Sequence, residues 1–176
     1  GFKKFCAGEG DITGASRAIK EEEVTLCADG GVEYIELAVA IDGLTVATSP
    51  ANTAVECLDK AALYALVGPE SEGFSSWADA NAIAGELGSA FATLPDAPLS
   101  VYGPGEESGT YDSFVEFAID KIAEERGVDG ATRADYTASP NDNVIVDGIE
   151  SADTSLGWVG FAYYKAEQAR MKAIAI

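Results

Sequence analysis

The sequence predicts an α/β fold, and three stretches carry that prediction. Leu99 to Tyr102 reads as a short strand and a glycine-rich turn follows it. Tyr111, Phe114, Val115, Ala118, Ile119 and Ile122 then recur three and four apart, as in a helix packed on one face. Strand, small-residue turn and helix is the βα unit in which α/β proteins place ligands. Val32 to Thr48 is β-branched and apolar and nearly continuous past Leu37, as expected of a strand covered on both faces. Gly157 to Tyr164 reads as a further strand, in which Gly157 and Gly160 permit close backbone approach or a bend.

Taken in order, Gly1 to Ala7 forms a short helical turn. Gly8 to Ile19 is a loop with a short strand around Asp11 to Thr13, and Glu21 to Val24 is a helical turn. Asp42–Gly43 interrupts the long apolar run, either as a hairpin or as the point where one strand passes between domains. Asp59 caps a helix over Lys60 to Leu66, Trp77 packs internally, and Asp79 to Leu87 is a weaker helix ended by Gly88. Arg126 and Arg133 are expected at the surface, with approach of one of them to the cleft as the alternative. The cluster from Ser139 to Asn143 caps a helix over Val144 to Glu150. Lys172 to Ile176 is a terminal strand, expected to pair in the sheet that holds the opening segment.

At 176 residues the chain suits one good-sized core, or one domain with part of another. No stretch approaches the length of a membrane span. No signal peptide is visible, and the opening GFKKF reads as a processed or truncated start. Thirty acidic residues against 11 basic ones, net −19, exclude nucleic acid and anionic lipid as partners, because no basic patch offsets that field. A small anion requires local donors that overcome it. The absence of histidine excludes the common zinc sets and the Ser–His–Asp or Cys–His nucleophiles, and no cofactor is expected. Among Cys6, Cys27 and Cys57 the expected pair is Cys6 with Cys27, closing a loop rich in charge and turns. The alternative is three buried reduced thiols.

The turn Gly103 to Thr110 carries the functional signal. Ser108 or Thr110 can cap the helix, and the small residues let the backbone aim unpaired amides at one point. Amides, hydroxyls and a helix N-terminus make an anion cradle, although such a turn also serves as a cap with no ligand. It is not a Walker A loop, since no GK[ST] follows. Arg17 stands after Gly14, Ala15 and Ser16, as an anion clamp or as the partner of one of the many carboxylates.

The joint pattern resembles the substrate-binding proteins of phosphate ABC transporters, the PstS-like branch of the type II periplasmic binding proteins. DITGASR at Asp11 to Arg17 resembles the first-lobe strand and anion loop, and Val39 to Thr48 the first interdomain crossing. Glu107 to Thr110 resembles the phosphate-cradling SGT motif, and Leu156 to Tyr164 the strand returning to the first lobe. The resemblance implies two α/β lobes joined by crossing strands, with one lobe incomplete. It assigns 1–43 to the partial first lobe, 44–160 to the second lobe and 161–176 to the return strand. It further implies a non-catalytic monomer outside the cytoplasm, periplasmic or carried by a lipid anchor in the full-length protein, that binds inorganic phosphate and delivers it to a membrane permease.

Carried over by residue, Ser108, Gly109 and Thr110 donate to phosphate from the second lobe and Ser16 from the first, while Gly1 ends a glycine-rich loop at a first-lobe helix. Pro104 stands where the family often has an arginine, Glu106 where it has an aspartate, and Arg17 where many relatives have an aspartate. A relocated clamp accounts for this, with the guanidinium now in the first lobe. Glu106 or Glu107 then accepts the proton of hydrogen phosphate, or orients Arg17. Competing readings are another oxyanion (sulfate or molybdate) on the same fold, a hydrolase using Ser108, and a surface domain that binds no anion.

Overall fold

The computed structural model describes residues 1–176, which divide into two units between Asp42 and Gly43. The first unit holds helices α1 (Phe2–Cys6) and α2 (Glu21–Asp29). A Cys6–Cys27 disulfide joins them, while Cys57 is a free, exposed thiol, so the reading of three buried thiols fails. The two helices meet closely: a Cβ on Gly30 would fall 2.1 Å from the Cys6 carbonyl oxygen, and only glycine fits there.

The strand expected over Val32 to Thr48 is realised only as β1 (Leu44–Thr48). Residues 32–42 form no ladder, and Ile35, Leu37, Val39 and Ile41 are exposed. Nor is Asp11 to Thr13 a strand, and Asp42–Gly43 makes no hairpin. A β-prone run becomes a strand only against a hydrogen-bonded neighbour, and the first unit offers none.

The second unit is built on one mixed sheet in the order β3-β2-β4-β1-β5. Its remaining strands are β2 (Ser100–Gly103), β3 (Thr137–Ala138), β4 (Ser155–Gly160) and β5 (Lys172–Ala173). β2 runs parallel to both β3 and β4, whereas β1 pairs antiparallel with β4 and β5. The helices are α3 (Lys60–Val67), α4 (Asn81–Glu86), α5 (Gly109–Ala118), α6 (Asp120–Arg126), α7 (Asp142–Ser151) and α8 (Phe161–Ala166). Asp59 caps α3 by accepting from the Ala62 amide at 2.8 Å, and Asn141 caps α7. Gly127, at φ 69°, ends α6 in the left-handed conformation that glycine tolerates.

One core gathers α3, α5 and Trp158 on β4, with Phe114 stacked on Trp158 at 4.3 Å and Tyr136 tilted against it at 5.2 Å. A smaller core forms from α7, Ala47, Val159 and Met171. Trp77 is fully buried, as expected, and its indole N–H donates to the Thr154 carbonyl at 2.8 Å.

Four expectations are corrected in this unit. The strand from Gly157 stops at Gly160, where pairing with β1 ends at Leu44, and the Phe161 amide then turns to the Gly43 carbonyl and opens α8. The terminal strand pairs with β1 at Ala47 and Thr48, because the opening segment has no strand to offer. The helix after Ser108 breaks at Ile119 into α5 and α6.

Arg133, expected at the surface, is 5% exposed. Its Nε and Nη2 donate to Asp135 and its Nη2 also to the Phe74 carbonyl. That guanidinium, helped by the Gly73 amide, outweighs burial and holds the Asp135 carboxyl down to about 2. A folded-state value below the unfolded one means that Asp135 stabilises the protein fully above about pH 4 and loses this as pH falls toward 2. Thermal melts from pH 5 to pH 2 should therefore show a falling midpoint, and Asp135→Asn should flatten part of that fall.

Candidate functional site

The parallel strands β2, β3 and β4 lead into α5, α7 and α8, so three helix N-termini lie at the same end of the sheet. That end is where α/β sheets bind ligands. Of the three helices, α5 has the most developed entry turn. Buried Pro104 and Gly105 leave β2, and the Tyr136 hydroxyl donates to the Pro104 carbonyl at 2.6 Å, pinning the turn from the core side. Burial raises the Tyr136 hydroxyl to about 12, so this donor keeps its proton across the physiological range.

Ser108 is the N-cap of α5, its hydroxyl oxygen accepting from the Thr110 amide at 3.2 Å. The Ser108 amide donates to the Gly105 carbonyl at 3.0 Å, and the Asp112 amide to the Ser108 carbonyl at 3.1 Å. The amides of Gly109 and Tyr111 have no acceptor in the chain, and Ser108, Gly109 and Thr110 are all half-buried. Two unpaired amides, two hydroxyls and the positive end of a ten-residue helix thus stand together in the first turn of α5. The chemistry they offer is hydrogen-bond donation to an oxyanion.

Glu106 and Glu107 are exposed on the same turn. The Glu107 carboxylate folds back over Gly105, where an added Cβ would lie 2.5 Å from its Oε2. These carboxylates make the turn less electropositive than its amides alone would.

The first unit places Ser16 and Arg17 on the loop between α1 and α2. Gly1, at the head of α1, abuts Thr13 and Gly14, since a Cβ there would approach Thr13 Oγ1 to 2.8 Å. Ser16 is exposed. The Arg17 guanidinium lies 5.1 Å from the Phe2 ring centroid and forks onto Glu23, with Nη1 to Oε2 at 2.8 Å and Nη2 to Oε1 at 2.9 Å. This fork is the first cause holding the Glu23 carboxyl down to about 2.

Glu23 is the residue that sequence reasoning missed. It stands at the third position of α2, where its Oε2 also accepts the Lys20 amide at 2.9 Å; with lysine at the N-cap and Glu21 and Glu22 beside it, no capping-box signature marks it in the sequence.

Residues 1–174 match the model of the PBP superfamily domain. The chain is 39% identical to Protein SphX of Synechococcus elongatus, over 100% of this chain and 47% of that protein. It is 32% identical to the phosphate-binding protein PstS of Staphylococcus haemolyticus, over 100% of this chain and 48% of that protein. Among solved structures, a possible phosphate binding protein from Planctomyces limnophilus matches with a TM-score of 0.70 and 38% identity, covering 99% of this chain and 55% of that one. The chain therefore spans about half the length of the curated relatives it matches. Its mixed sheet with flanking helices and its match along almost the whole sequence show that the chain belongs to the PBP superfamily, with the α/β fold of the type II periplasmic binding proteins.

Proposed function

We propose that the protein is a non-catalytic receptor for inorganic phosphate, active outside the cytoplasm as a monomer, which delivers its ligand to the membrane permease of an ABC transporter. The observation that carries this reading is the head of α5, where Ser108 caps the helix and the Gly109 and Tyr111 amides remain without acceptors. A relative named as a phosphate-binding protein matches along the whole of this chain, and so does a solved structure described in similar terms. Serine chemistry lacks support: the Ser108 oxygen is engaged by the Thr110 amide, and the sequence holds no histidine to activate it.

The proposal gives Ser108, Gly109 and Thr110 the central donor role and assigns Ser16 and Arg17, in the first unit, a share in holding the anion. Gly1 keeps the loop beside them in place. Glu106 and Glu107, exposed beside the cradle, favour an anion that brings its own proton, because a fully ionised one meets like charge. Hydrogen phosphate carries that proton at neutral pH and sulfate does not.

Calorimetric titration of inorganic phosphate and of sulfate into the phosphate-stripped full chain tests the reading. Phosphate should bind more tightly than sulfate, and Thr110→Ala should weaken phosphate binding by about tenfold or more, the loss expected of a hydrogen bond to a charged group. No heat with phosphate, or an unchanged affinity in the variant, would remove the cradle from the account.

A further inference from the structure

We propose that the first unit is a redox-conditional element: its order depends on the Cys6–Cys27 bond, and reduction opens it while the second unit stays folded. The inference stands apart from the phosphate reading and concerns each unit by itself. Among residues 1–42 only Cys6 and Cys27 are buried, at 1% and 0% exposure. Val24 and Leu26 on α2 are exposed, as are the apolar residues from Ile35 to Ile41. The disulfide is the whole core of this unit.

Without an apolar core, little offsets the entropy lost in ordering the chain. α1 and α2 have five and nine residues, below the length at which an isolated helix persists in water. The other contacts are half-buried: Phe5 meets Tyr34 edge-on at 6.4 Å, while Arg17 lies over Phe2 and forks onto Glu23. Ring contacts and ion pairs of this kind each add little. The disulfide spans a sequence separation of 21, and closing a loop of that length disfavours the open chain by about a hundredfold. The second unit, by contrast, has two apolar cores and a five-stranded sheet, and its one cysteine is unpaired.

The reductant is a dithiol. One of its thiolates attacks a cysteine sulfur, breaking the S–S bond and forming a mixed disulfide, and its second sulfur then displaces the protein thiol. Two electrons and two protons pass to Cys6 and Cys27, which become thiols, and the reagent leaves as its own disulfide. Because both cysteines are buried, the attacking thiolate reaches them only when the unit opens. The opening that the bond suppresses is therefore also the step that lets it be cut.

Hydrogen exchange on the full chain tests this, in a Cys57→Ser background that removes the one other thiol and so prevents re-pairing. The amides of Val24 and Gly30, bonded to the Lys20 and Leu26 carbonyls, report on α2, and those of β1, β2 and β4 on the sheet. A dithiol reagent should speed exchange of the α2 amides by about a hundredfold, or to the open-chain rate where that is reached first, and leave the sheet amides unchanged. Reoxidation should restore the slow rates. Cys6→Ser with Cys27→Ser should show the same pattern with no reagent present; should that variant be lost to misfolding during production, the reagent arm decides.

Unchanged α2 protection in protein whose freed thiols have been titrated would overturn the proposal, because the remaining contacts would then suffice. So would open-chain exchange of α2 in the oxidised protein, since the bond would not organise the unit. Loss of sheet protection on reduction would overturn it as well, since the bond would then not act on the first unit alone.

Discussion

Trp158→Ala is expected to destabilise the second unit by about 3–5 kcal/mol, the usual effect of emptying a large aromatic site in a core. Trp158 is 1% exposed and sits on β4, where Phe114 of α5 stacks on one side and Tyr136 tilts against it. It also fills the space above Gly103, where a Cβ would come within 2.5 Å of the indole ring. One side chain thus holds three parts of the proposed site: the end of β2, the helix that the cradle caps, and the tyrosine whose hydroxyl pins Pro104. The substitution should lower the denaturation midpoint and weaken phosphate binding in molecules that remain folded.

Trp158→Phe provides the contrast. The indole N–H is buried without an acceptor, and phenylalanine keeps a ring for stacking while removing that donor. Its destabilisation should be less than half that of alanine, measured by chemical denaturation with both variants at one pH. Comparable losses would show that the stack, and not ring volume, is a poor description of this core.

The local chemistry of the chain was legible where a residue acts on its own neighbours. Asp59, Ser108 and Asn141 cap their helices because a short side-chain oxygen beside an apolar periodic run has one good use. The Cys6–Cys27 pairing was the favoured of two readings, the other being three reduced thiols, and it is the one found. What escaped depends on partners distant in sequence. Nothing in GWVGFAYY says that the ladder stops at Gly160; that is set by where β1 ends. Arg133 reads as a surface residue until the Phe74 carbonyl and Asp135 surround it. Val32 to Asp42 has strand chemistry without a strand, since extended pairing belongs to two segments and not to one. The candidate site divides along the same line. The turn from Ser108 to Thr110 is contiguous and stands out in the sequence as a candidate, whereas Arg17, offered there as an anion clamp or as the partner of one of the many carboxylates, pairs with Glu23, hidden among the adjacent acids Glu21 and Glu22.

Gly157→Val should destabilise the protein by about 3 kcal/mol or more, and its effect on phosphate binding should exceed what stability alone accounts for. A Cβ at this position would lie 2.6 Å from both the Ile149 Cδ1 atom and the Tyr102 carbonyl oxygen. The first contact can relax by a rotamer change; the second is backbone and cannot. Gly157 pairs with Tyr102 in the parallel ladder of β2 and β4. The only relief is for β2 to move away from β4, and β2 delivers Gly103 and the cradle. Alanine should give the same displacement with a smaller stability loss, because its single methyl still meets the carbonyl oxygen but leaves α7 closer to its place. Calorimetry on Gly157→Ala, at a temperature where denaturation curves show it fully folded, separates the two effects. Weakened phosphate binding there would tie ligand affinity to the spacing of two strands. An affinity equal to that of the parent protein would mean that the turn at Ser108 is positioned by Tyr136 and Phe114 alone.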